Sequence, residues 1–165
     1  MLPIYALRVG LTENLAALIL TIFAAGNVIF QIPIGLASDR FDRRTVLLIC
    51  AGFGFAGTAL LPVVSQNIWI FLPSLFIFGG VVVGMYTVGL ALLGERFKGA
   101  DLAAANSAFV LMFSTGGLLG PPIAGAAMDI WDPHGLAIAM AAISGIYLLV
   151  VGWRWSGRES AEKLD

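Results

Sequence analysis

Charge is scarce in this chain. Of its 165 residues only 12% are Asp, Glu, Lys or Arg, about half the share usual in a soluble domain. A water-facing surface built from that mixture would expose large contiguous apolar patches, which soluble monomers avoid. Cysteine is nearly absent too: the lone Cys50 can form neither an internal disulfide nor a four-ligand metal cage, and its place in an apolar run makes it packing. The one histidine, His134, stands beside Pro133 in a polar connection and reads as a loop residue rather than a proton relay. No basic run or aromatic-basic patch occurs, and the formal net charge is -1, so a nucleic-acid partner has no electrostatic footprint. There is no paired carboxylate in a cavity, no metal-ligand cluster and no serine-histidine arrangement, so no enzyme chemistry, metal or cofactor is expected. No basic leader precedes the first apolar run, which is itself too long for the core of a signal peptide.

What is plentiful is apolar surface: 59% of residues are hydrophobic and the mean hydropathy is +0.95. Nearly uncharged runs cover residues 15–37, 45–64, 68–93, 102–128 and 135–153. Each can cross a hydrocarbon core of about 30 Å as a helix rising about 1.5 Å per residue. The runs are continuously apolar, whereas the strands of a membrane barrel alternate in polarity, so the spans are helices. The expected fold is all-α, a polytopic membrane bundle of about five transmembrane helices running up and down, with the lipid bilayer as its solvent. Residues 1–14 read as the end of a preceding span with an external loop, and 154–165 as a tail.

Short loops rich in Lys and Arg mark the cytoplasmic side. Arg40, Arg43, Arg44, Arg96, Lys98, Arg154, Arg158 and Lys163 all fall on one side of this topology, leaving Arg8 on the other. The charged loops and the C-terminus are therefore expected in the cytoplasm. Trp69, Trp131, Trp153 and Trp155 lie near span ends, where amphipathic rings favour the headgroup layer. With five spans and a cytoplasmic tail the N-terminus starts outside, either because a short terminus crosses unaided or because further sequence precedes it.

The most specific string is Gly35-Leu-Ala-Ser-Asp39-Arg40-Phe-Asp42-Arg43-Arg44, at the end of the first span and in the loop after it. Gly35 allows close approach of a neighbouring helix, Asp39 can accept hydrogen bonds at a helix N-terminus, and Arg43 and Arg44 can make charge-assisted contacts with a carboxylate. The carboxylate expected to answer them is Glu95, at the end of the third span and followed by Arg96. Such a cluster reads as a latch between rigid bodies; the plainer alternative is an orientation determinant with compensating acids. A second string, Gly116-Gly117-Leu-Leu-Gly120-Pro121-Pro122-Ile-Ala-Gly125, combines small residues that let helices cross closely with prolines that remove backbone donors and permit bending.

The first string resembles motif A of the major facilitator superfamily, GxxxDRxGR(R/K), with Asp42 where that family usually has a glycine suited to a positive-φ turn. The second is similar to motif C, GxxxGPxxGG, in its helix-eleven copy, with Ala126 at the final glycine. In related transporters an acid at the place of Glu95 closes a charge relay with motif A. Aligned by both motifs, the spans correspond to helices eight to twelve and Leu2 to Tyr5 to the end of helix seven. The resemblance covers essentially the whole chain and is most like the bacterial YcaD-like branch, related to sugar and drug-efflux carriers.

The resemblance implies a partial fold of that superfamily, the C-terminal half of a secondary transporter that moves a small solute by alternating access. It implies residence in a bacterial inner membrane and an N-terminal half supplied by the parent protein or by a separate chain. A membrane interaction or regulatory subunit, or a degenerate remnant, is the alternative. The cavity face would come from the first, third and fourth spans. Phe23, Asn27, Gln31 and Gly35 recur every four residues on one helical face. Tyr86 and Thr87 in the third span, and Asn106, Phe109, Phe113 and Ser114 in the fourth, are further candidates, although Asn, Ser and Thr also commonly join helices without touching solute. No acidic or basic residue lies in the central part of any span, so a proton-carrying group is expected in the other half. Asp101 is expected to cap the fourth span.

Overall fold

In the computed structural model the backbone is described for residues 1–162 and side chains as far as Trp153. Lys163, and the side chains of Arg154, Trp155 and Arg158 on which the orientation also drew, lie outside the described residues. Six helices follow one another: α1 (Leu2–Arg8), α2 (Glu13–Arg40), α3 (Arg43–Val64), α4 (Ile68–Arg96), α5 (Gly99–Ile130) and α6 (Gly135–Glu162). No strand occurs among the described residues. Five of the helices are long and apolar enough to cross a membrane, so the fold is an all-α bundle with lipid as its solvent.

Helices α2 and α5 overrun their apolar runs at both ends, and α3, α4 and α6 at one end each. Helix α2 extends through Asp39 to Arg40, and α4 through Glu95 to Arg96. Backbone hydrogen bonding does not stop where the hydrocarbon does, and charged side chains can enter the headgroup layer while still helical. Connections are correspondingly short. Between α1 and α2, Gly10 adopts a φ of +89°, a conformation that costs glycine nothing. Asp42 opens α3 by accepting from the Thr45 amide at 3.0 Å.

Helix α2 packs most extensively on α4, α3 lies against α4 and α6, and α5 rests on α6 with a lighter contact to α4. The α2–α4 crossing is the closest. A Cβ at Gly26 would collide with the Phe76 carbonyl, and one at Gly79 with the Phe23 carbonyl. Gly80 and Gly84 receive the side chains of Phe30 and Ile34. Where lipid removes the hydrophobic drive between helices, such small residues let backbones meet and gain dispersion and weak hydrogen bonds.

Two buried clusters sit toward opposite ends. One gathers Tyr5, Ile19, Leu61, Phe71, Leu75, Met128 and Leu136; the other gathers Val46, Cys50, Val81 and Val88. Outside them large apolar side chains stand exposed, among them Val28, Ile32 and Leu36 along α2 and Leu111, Met112 and Leu118 along α5. That inside-out distribution matches a lipid solvent.

Candidate functional site

The helix ends bring Asp39, Arg40, Arg43, Arg44, Glu95, Arg96 and Lys98 to one face of the bundle. Arg43 is the centre of this group. Its Nε lies 3.4 Å from Oε1 of Glu95, one terminal nitrogen donates to the Ala91 carbonyl at 2.8 Å, and the other lies 3.5 Å from Oδ1 of Asp39. One guanidinium thus joins the end of α2, the start of α3 and the end of α4, using the fork of donors that arginine holds rigidly. Exposed pairs of this kind contribute at most about 1 kcal/mol each, so the arrangement fixes position more than it adds stability. Arg40 and Arg44 are exposed and enter no ion pair among the described residues.

Three expectations about this string change. Asp39 lies in the last turn of α2, where no free amides point at it; Asp42 does the capping, with its carboxylate also accepting from the Thr45 hydroxyl at 3.1 Å. The positive-φ turn is not formed either: Asp42 has φ -56°, so aspartate replaces the family's glycine by ending one helix and capping the next. Gly35 admits no neighbouring helix, because a Cβ there would meet open space. The close backbone approach falls instead on Gly26 and Gly79, while Gly80 and Gly84 receive the Phe30 and Ile34 side chains.

The glycines of the second string are likewise open. Nothing approaches a Cβ at Gly116, Gly117 or Gly120, and Gly125 meets only the Met1 side chain, at 3.5 Å. Helix α5 is held at its last turns, where Ala124, Ala127 and Met128 are buried and the Ala127 backbone presses on Gly135. Toward its other end few side chains are covered, and Pro121 is exposed. Asp101 does not cap α5: the helix begins after Lys98, which places Asp101 in the first turn, where its charge still suits the helix dipole.

The proposed cavity residues divide into two groups. Gln31 donates to the Asn27 side-chain carbonyl at 3.1 Å within α2, which leaves the Asn27 amino group and the Gln31 carbonyl for other partners, and Phe23 packs on Phe78 with ring centroids 6.1 Å apart. Between α4 and α5, Tyr86 faces Phe109 and Phe113 at 5.3 and 4.8 Å between centroids. Phe113 is nevertheless 61% exposed, and Asn106 and Ser114 are exposed on the same helix. The Thr87 hydroxyl turns back to the Val83 carbonyl at 3.2 Å.

Sequence reasoning passed over a second polar cluster at the opposite end. Arg8 donates to Asp129, to Asp132 at 3.0 Å and to the Met128 carbonyl at 2.7 Å. These partners, Asp129 foremost, hold the guanidinium above its ordinary pKa. Beside it, Tyr5, Ser65 and His134 are linked through the tyrosine hydroxyl. The single base on that side was the available signal, since an arginine otherwise alone near two aspartates invites a pairing.

A bundle of long apolar helices with its charges confined to the two ends, fastened at one of them by an arginine between three helices, defines a polytopic integral membrane protein. The chain belongs to the Major Facilitator Superfamily, whose family model matches residues 1–164. It is 32% identical over 150 residues to the uncharacterised MFS-type transporter YfkF of Bacillus subtilis, covering 90% of this chain and 38% of that protein. The uncharacterised MFS-type transporters YcaD of Salmonella paratyphi B and Salmonella newport are each 28% identical over 152 residues, or 92% of this chain and 38% of theirs. The chain thus spans well under half the length of these relatives. No solved structure matches it significantly.

Proposed function

We propose that this chain is the C-terminal half of a secondary carrier that moves a small solute by alternating access, with its five long helices in the places of helices eight to twelve. The observation that carries the reading is the contact of Arg43 with Glu95, Ala91 and Asp39 at one end of a bundle of this family. Two six-helix halves rocking about a central site need a fastening that forms in one state and breaks in the other. Exposed ion pairs suit that task, because each costs little to open.

In this reading the Arg43 end faces the cytoplasm of a bacterium and the tail lies there with it. Residues 1–14 close a preceding span and turn outside the membrane. The Tyr86, Phe109 and Phe113 rings, with Asn106, Asn27 and Gln31, line this half's share of the solute path. The open glycine face of α5 receives the N-terminal half. The coding sequence immediately upstream of Met1 tests this: six or seven further apolar spans, in frame or in a neighbouring gene, are expected. Their absence would favour a regulatory subunit or a remnant.

A further inference from the structure

The end of α2 has a counterpart at the end of α4. Asp39-Arg40-Phe41 and Glu95-Arg96-Phe97 share one order, a carboxylate, an arginine and a phenylalanine, and one backbone geometry. In each the arginine is the last helical residue and the phenylalanine leaves the helix extended, at φ -113° and ψ 163° for Phe41 and φ -118° and ψ 149° for Phe97. Each phenylalanine amide still donates to the carbonyl four residues back, Ala37 at 2.9 Å and Leu93 at 3.0 Å. Helices α2 and α4 pack on each other more extensively than any other pair, and Arg43 spans their ends, 3.5 Å from Asp39 and 3.4 Å from Glu95. The two ends therefore stand side by side.

One guanidinium thus answers both carboxylates. Arg40 and Arg96, with Arg44 and Lys98 close by in sequence, are exposed and enter no ion pair or side-chain hydrogen bond among the described residues. The acids at this face are engaged elsewhere. Asp39 and Glu95 turn to Arg43, Asp42 accepts from the Thr45 amide and hydroxyl, and Asp101 lies in the first turn of α5, where the helix dipole suits it. The donors of Arg40 and Arg96 are left for a ligand, and a planar guanidinium presents them in the fork that matches a phosphate.

The rings say which phosphate. Phe41 is 67% exposed and Phe97 39%, each next to its arginine at the end of a long apolar helix. A soluble phosphate would draw on the arginines and leave both rings in water. A membrane phospholipid uses both, because rings can enter the acyl boundary while the arginine stems carry their charge to the headgroup.

We propose that these twin helix ends bind an anionic phospholipid, with its phosphate on Arg40 and Arg96 and its acyl chains against Phe41 and Phe97. The proposal rests on the membrane placement of the long helices and not on the solute path, so it stands or falls apart from transport.

Native mass spectrometry of the full chain, released from nanodiscs that hold equal amounts of phosphatidylglycerol and phosphatidylcholine with the same acyl chains, reads the bound lipid. Phosphatidylglycerol should be retained in about 25-fold excess, the product of about fivefold for each of two basic residues at a membrane surface. Arg40→Gln and Arg96→Gln singly should each cut that excess about fivefold, and together should bring it near parity. Neither arginine has a partner in the chain to lose, so the double variant should melt like the unmodified chain in neutral detergent. Phe41→Ser with Phe97→Ser should lower phosphatidylglycerol retention although both arginines remain, and inorganic phosphate in excess should not displace the lipid. Equal retention of the two lipids by the unmodified chain overturns the proposal without any variant. So does an excess that survives the double arginine change, or displacement by inorganic phosphate, which would make the site one for a soluble anion.

Discussion

Arg43 reaches Glu95 across the gap between α3 and α4 at 3.4 Å while donating to the Ala91 carbonyl one helical turn away at 2.8 Å. The two contacts give the guanidinium a direction as well as a partner. Glu95 is 54% exposed and the Arg43 side chain 25%, so water competes for the pair and its strength stays in the range that a moving part can open.

That balance makes a charge exchange informative. Arg43→Glu or Glu95→Arg alone should lower thermal stability slightly, by about 1 kcal/mol or less, and lower transport by the complete carrier far more. The double exchange should recover part of what either single change removes. Solute uptake alongside detergent-based thermal melts checks both halves of the expectation.

Glycine substitutions should sort by where the space is. Gly79→Val meets the Phe23 carbonyl and Gly26→Val meets that of Phe76; backbone cannot yield as a flexible side chain does, so each should destabilise the chain by about 1–3 kcal/mol or more. Gly120→Val has open space in this chain and should leave its melting unchanged. If α5 receives the N-terminal half, the same substitution should abolish assembly with that half. Melting and co-purification distinguish the two classes.

Capping by Asp42 predicts an unusual tolerance. Asp42→Ala removes the acceptor for the Thr45 amide and hydroxyl and should cost about 1 kcal/mol, whereas Asp42→Gly, the family's own residue, should cost only a few tenths. Chemical denaturation in mixed micelles measures the difference.

Tyr86 bridges α4 to α5 through two rings. Tyr86→Ala should release Phe109 and Phe113 and weaken the contact by about 0.5–1.5 kcal/mol per aromatic pair, raising proteolytic or exchange accessibility along α5. Tyr86→Phe should leave both unchanged, because the tilted ring contacts and not the hydroxyl join the helices.

Much of the fold was legible because lipid imposes one demand on every span. Continuous apolar runs the length of Ile68 to Leu93 have few structural options, and the family motif around Asp39 and Arg43 is long enough to be specific. Two kinds of feature escaped. Which glycines are crowded depends on which helices meet: Gly35 and Gly120 carried the motifs, yet Gly26 and Gly79 carry the contact in this chain. Capping depends on where a helix stops, and α2 runs two residues past the apolar stretch and then one more, to Arg40, which moved the cap from Asp39 to Asp42. The Tyr5, Ser65 and His134 cluster joins residues up to 129 positions apart, a pairing no local pattern encodes.

The central claim, that this chain is one half of a carrier, is tested most directly in proteoliposomes. The chain, the six or seven spans expected before it, and the two together would each be offered a bacterial metabolite extract, with accumulated solutes identified by untargeted mass spectrometry. The account predicts that at least one solute accumulates only when both halves are present, and that Arg43→Glu suppresses it. Accumulation by this chain alone, or none by the assembled pair, would contradict it.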